Sequence, residues 1–223
     1  MRDRRQWLLP TKAMHMTSSK LTTILILWLG MVALLFIIER FSAAPSSWDQ
    51  VVLAHAAQLQ SLWLDRLFLF ITDFGSLYFL APLTAVLAWL LARRGHPDEA
   101  WFLALSLGGA SLVARLAKYL FQRARPDAYP HIAALPLDAS FPSAHTVQIT
   151  AFVFALCLII RRLDARAMGW FIAVAAPIAV MVALSRLYLQ VHYPSDVIGG
   201  VVLALLWVLG TRQLFSAPGI RAG

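Results

Sequence analysis

Residues 185–196 read Ser-Arg-Leu-Tyr-Leu-Gln-Val-His-Tyr-Pro-Ser-Asp and join two long apolar runs, at about 168–186 and 196–215. The stretch places a cation (Arg186), an imidazole (His192) and a carboxylate (Asp196) where two membrane-like segments meet. Each of these groups costs free energy to desolvate, so packing alone does not gather them there. Two more polar clusters stand at similar junctions upstream: Lys118 with Arg125-Pro126, and Phe141-Pro142-Ser143-Ala144-His145.

Composition fixes the medium. Of 223 residues, 60% are hydrophobic and 13% charged, against about 45–50% and about 25% for an ordinary soluble domain. The chain reads as an integral membrane protein. Its formal net charge of +8 does not point to nucleic acid, which needs a basic face on a water-soluble fold. Most cations fall instead in short loops between apolar runs, the pattern that orients membrane helices. The single cysteine, Cys157, lies inside an apolar run and permits no internal disulfide.

Hydropathy predicts an all-α integral membrane bundle of about six transmembrane helices, with a short interfacial helix after the first span. A basic tail, 1–20, carries Arg2, Arg4, Arg5, Lys12 and Lys20. Residues 21–38 run without a charge, long enough to span and longer than a signal-peptide core, so a retained anchor is expected. Ala43-Ala44-Pro45-Ser46-Ser47 reads as a turn. Val52, Ala56, Leu59 and Trp63 then recur at helical spacing and predict an amphipathic segment of structural role. A second span covers 67–92, interrupted by Asp73 and softened by Gly75 and Pro82. Asp73 near its start reads as a headgroup-level residue. The remaining spans are expected at about 101–121, 145–160, 168–186 and 196–215, with a short tail, 216–223, after them. Residues 21–215 thus form one membrane domain without internal repeats.

Charge sets orientation. With six spans both termini share a side, and Arg93-Arg94, Arg161-Arg162-Arg166 and Arg212 fall there with the tails. The excess of Lys and Arg marks that side as cytoplasmic, with Arg40 and Arg66 against the trend. All three polar clusters then converge on the opposite face, which in a bacterium is the periplasmic face of the inner membrane.

Lys118, Arg125 and Arg186 concentrate positive charge with Asp127, Asp138 and Asp196 to balance it. Arg suits bidentate recognition of phosphate oxygens and Lys adds a point charge. Ser143 and Ser195 stand at helix starts, whose unpaired N–H groups favour an anion. Ser143 with the amides of Ala144 and His145 fits such a cradle. His192 is the better nucleophile of the two histidines, because Asp196 four residues on can hold one ring nitrogen. His145 is then placed to protonate the leaving oxygen and later to activate water. Arg115 lies outside these clusters. Two rivals are a His145–His192–Asp196 metal site, disfavoured by the surrounding cations, and a Ser143 nucleophile, which lacks a G-x-S-x-G elbow.

Lys118-x6-Arg125-Pro126, Pro142-Ser143-Ala144-His145 and Ser185-Arg186-x5-His192-x3-Asp196 resemble, in order and internal spacing, the three-part signature of the type 2 phosphatidic acid phosphatases. These are membrane lipid phosphatases related to the vanadium haloperoxidases. The resemblance covers about 118–196. It implies that Lys118, Arg125 and Arg186, with Ser143 and Ala144, bind phosphate. It further implies His145 as general acid, His192 as nucleophile and Asp196 as its partner. No cofactor or metal is expected, and vanadate should mimic phosphate. One departure is visible, Ala144 where the family usually has Gly, which restricts φ at that position. The implied substrates are lipid phosphate monoesters or pyrophosphates, such as undecaprenyl pyrophosphate, phosphatidylglycerophosphate, phosphatidic acid or lipid A. A lipid phosphotransferase using the same intermediate, or a non-catalytic lipid-phosphate binding or transport protein, is the alternative.

Overall fold

The computed structural model describes residues 17–42, 45–133 and 135–215. The Arg2, Arg4, Arg5 and Lys12 tail, the Ala43-Ala44 part of the expected turn, and the 216–223 tail lie outside the described residues. Within them all regular structure is helical. The order is α1 (Ser18–Ser42), α2 (Ser47–Gln58), α3 (Leu62–Asp73), α4 (Leu77–Arg93), α5 (Pro97–Phe121), α6 (Ala144–Leu163), α7 (Met168–Tyr188) and α8 (Pro194–Phe215). Helices α1, α5, α6, α7 and α8 are each long and apolar enough to cross a membrane, and α3 with α4 makes a sixth span if taken as one bent unit.

Helices α5, α6 and α8 pack on one another, with α1 laid along α8, α4 against α5 and α7 against α6. Their shared core holds Phe102, Leu103 and Leu107 from α5, Val147, Phe152 and Ala155 from α6, and Leu203 and Val208 from α8. Outward, Leu25, Ile26, Leu29, Trp89, Leu112, Val174 and Val180 are exposed, a continuous apolar jacket that a water-soluble fold does not carry. Since lipid is as apolar as these side chains, the bundle is held by close packing and polar contacts rather than by exclusion of water. Gly199 shows how close that packing is. A Cβ there would sit 2.4 Å from the Phe141 ring, so glycine is what lets α8 press on the Pro142–His145 turn.

Two expectations are corrected. The second span is not one softened helix but two, α3 and α4, bent by 40°. The break is at Phe74–Ser76, where Ser76 accepts the Phe79 N–H and starts a new helix. Pro82 sits inside α4 without ending it. The amphipathic segment likewise stops at Gln58. Trp63 belongs to α3 and is exposed, and the buried residues of α2 are Asp49 and Leu53. The apolar spacing missed this face because one of its two buried residues is a carboxylate.

Candidate active site

The three clusters meet where α5 and α7 end and α6 and α8 begin. Each helix terminus there has a local reason. Helix α5 stops at Gln122, whose φ of 52° turns the chain out of helical geometry. Ser143, with extended backbone, precedes α6. Pro194 opens α8, where its missing N–H is harmless. In the first turn of α8, Asp196 reaches back to accept the Tyr193 N–H at 2.8 Å. This capping contact faces Asp196 toward His192.

His192 is almost fully buried. Its Nδ1 lies 3.3 Å from Asp196 Oδ2, and its Nε2 lies 3.2 Å from Arg125 Nη1. A guanidinium can only donate, so Nε2 presents a lone pair and Nδ1 carries the proton to Asp196. Burial pushes the imidazole down to about 3, outweighing the Asp196 carboxylate that favours protonation. The ring is therefore neutral near pH 7, and its available nitrogen faces Arg125.

Arg125 contacts Nε2, the charge of Arg186 also acts on the ring, and Lys118 shares Asp138 with Arg125. The Arg125 guanidinium donates to Val191 O at 2.7 Å and to Asp138 Oδ1 at 2.5 Å. Lys118 is buried, bonds Ala139 O and pairs with Asp138 at 3.3 Å. Asp138 itself is half-exposed. Burial works to raise its pKa, but Lys118 and Arg125 outweigh that and hold it below the usual carboxylate range. Arg186 is buried and donates to Thr72 Oγ1, which ties it to the end of α3. His145 feels the charges of Arg186, Lys118 and Arg125. It lines a cavity of about 710 Å³ with Asp73, Ser76, Tyr78, Phe79 and Gln148.

The Ser143 amide is engaged by Asp196 O at 3.1 Å, and its hydroxyl accepts from Thr146 at 3.0 Å. Of the cradle read from the sequence, the Ala144 and His145 amides stay open at the start of α6. Arg115 is exposed and lines a separate cavity with Lys118, Gln122 and Asp138. Among the described residues no three His, Cys, Asp or Glu side chains are grouped to hold a metal ion.

Three residues escaped the sequence reading. Arg123 is buried and donates from Nη1 to Asp196 Oδ1 at 2.6 Å and to Ser195 Oγ at 2.8 Å. Its Nη2 reaches Asp49 Oδ2 at 3.3 Å. Ser140 donates its hydroxyl to Asp196 Oδ2. Asp49 also accepts the Ser195 N–H at 3.1 Å, and it closes a capping box with Ser46 at the start of α2. Arg123 thus bridges two aspartates, each in the first turn of its helix. Ser46-x-x-Asp49 is a capping signature legible in the sequence. Nothing there says that its carboxylate also faces the site.

A buried neutral histidine backed by a carboxylate and fronted by three cations can bind a phosphoryl group and accept it covalently. The class so far is a helical membrane protein with a phosphate-compatible cluster at one end of its bundle. Residues 99–219 match the family model of the PAP2 superfamily, and the chain belongs to that superfamily. It is 28% identical over 166 residues to phosphatidylglycerophosphatase B of Bacillus subtilis, covering 73% of this chain and 81% of that one. It is 29% identical over 163 residues to an undecaprenyl-diphosphatase of Sulfolobus acidocaldarius, covering 71% of each. Its fold is similar to the crystal structure of the transmembrane PAP2-type phosphatidylglycerolphosphate phosphatase of Bacillus subtilis. There the TM-score is 0.72 at 27% identity, over 85% of this chain and 94% of that one.

Proposed function

We propose that this protein is a membrane lipid phosphatase that works through a phosphohistidine at His192, without a metal. The observation that carries the reading is the pair of contacts on one ring: Nδ1 held by Asp196 and Nε2 facing Arg125. Nε2 attacks phosphorus, and the bond to the leaving oxygen breaks as His145 gives that oxygen a proton. Water then attacks phosphorus with His145 taking its proton, the N–P bond breaks, and phosphate leaves. Lys118, Arg125, Arg186 and the Ala144 amide stabilise charge on the non-bridging oxygens, which is the larger share of phosphoryl-transfer catalysis. Lipid phosphates as substrates accord with the names of the relatives.

The site faces away from the cytoplasm in this reading. Arg93, Arg161, Arg162 and Arg212 lie at the helix ends opposite it, the distribution expected of a cytoplasmic side. Phosphate release from lipid phosphates by detergent-purified protein in EDTA tests the chemistry. Wild type should release phosphate and His192→Ala should not. Release that survives in His192→Ala, or stops with EDTA, would overturn the proposed route.

A further inference from the structure

Asp73 stands closer to the chemistry than its headgroup-level reading allows. The break between α3 and α4 wraps the site on two sides. Thr72, beside Asp73, accepts from Arg186. Two residues on, a Cβ at Gly75 would lie 3.2 Å from His145 Cβ and 2.4 Å from Val182 Cγ1, so this backbone rests directly on His145. Asp73 and His145 line the same cavity, with Ser76 and Gln148 as further polar walls and Leu77, Tyr78 and Phe79 leading out toward lipid. If His145 protonates the leaving oxygen, this cavity is where the leaving group sits. The inference rests on that assignment.

We propose that Asp73 reads the leaving group, favouring phosphomonoesters whose leaving alcohol carries a neighbouring hydroxyl over diphosphates. In either substrate the His192 Nε2–P bond forms, the bond from phosphorus to the leaving oxygen breaks, and the His145 proton goes to that oxygen. On a polyol head group the leaving oxygen becomes an uncharged alcohol oxygen whose neighbouring hydroxyl can donate to the Asp73 carboxylate, any phosphodiester charge lying further along the head group. On a diphosphate the leaving oxygen belongs to a phosphate that keeps negative charge and meets that carboxylate as a like charge. Selection comes from one attractive and one repulsive contact at a single side chain.

The test compares kcat/KM on phosphatidylglycerophosphate, phosphatidic acid with the same acyl chains, and farnesyl diphosphate, for wild type, Asp73→Asn and Asp73→Glu. Asp73 is exposed at a helix end, so the variants should fold. Wild type should rank the three in that order. In Asp73→Asn the ratio of the first to the third should fall about tenfold, or about 1.4 kcal/mol. Asp73→Glu should retain the preference. A ratio unchanged in Asp73→Asn, or a wild type that prefers the diphosphate, overturns the role of Asp73 while leaving the phosphatase intact. No phosphate release from any of the three by wild type removes both.

Discussion

Replacing Arg123 with Met tests the cation that bridges Asp196 and Asp49. The guanidinium separates two carboxylates, Asp196 at 2.6 Å and Asp49 at 3.3 Å. The side chains of all three are 0–2% exposed. Removing one partner of a buried ion pair typically destabilises by about 3–5 kcal/mol, because the charge left behind can neither pair nor reach water. Here two such charges would face each other. One of them would take up a proton, and if that is Asp196, the His192 Nδ1–H loses its acceptor and turnover falls with stability. A second variant separates the two effects. Asp49→Asn/Arg123→Met removes one carboxylate together with the cation. It should recover most of the lost stability, since an ion pair replaced by neutral groups is often near neutral. Turnover should stay low, because Asp196 would still lack the donor that holds its Oδ1. Thermal unfolding in detergent, read beside phosphate release, provides the measurement. A single variant as stable as wild type, or a double variant no more stable than the single, would refute the bridging role.

Asp138 occupies the cations that a phosphate must use. Its two ion pairs are half-exposed, worth about 0.5–1 kcal/mol each, so Asp138→Asn should tighten inhibition by inorganic phosphate or vanadate by roughly 5–30-fold. Weaker inhibition would instead make Asp138 an organiser of the site. Gly199→Val would drive a side chain into the Phe141 ring, and it should cost activity even where the protein still folds. Wild-type turnover in that variant would mean that the turn before α6 tolerates displacement. The depressed His192 pKa also predicts a pH dependence of stability. An unfolded His192 binds a proton as pH falls through about 6.5, whereas the folded one stays neutral down to about 3. Wild type should therefore lose stability relative to His192→Gln across that window, by up to about 1.4 kcal/mol per pH unit. A constant gap between the two would contradict the buried neutral ring.

The spans and the meeting of the three clusters were legible because hydropathy and charge act over whole segments. Residues such as His192 and Asp196 were legible because they are four apart and one local geometry serves both. Arg123 and Asp49 lie 74 positions apart, and each looks locally ordinary, a loop arginine and a helix-capping aspartate. Their meeting depends on where α2 docks, which no periodicity encodes. The break at Phe74–Ser76 was half legible. Asp73 and Gly75 marked the place, but an apolar count runs straight through a bend that one capping serine makes.

The far end of the bundle has a consequence for how the site tolerates its surroundings. Buried Glu99 at the start of α5 pairs with Arg162 near the end of α6 and with Arg212 near the end of α8, the latter at 2.7 Å. These are the same three helices whose other ends carry Lys118, His145 and Asp196, about 24–28 Å away at 1.5 Å per residue. The trio is thus fastened near both membrane surfaces, like a truss with two cross-ties. When the bilayer thickens or thins, tilt and bending should fall on α1 and on the jointed α3–α4 pair. The spacing between acid and nucleophile would then be insulated from lipid composition.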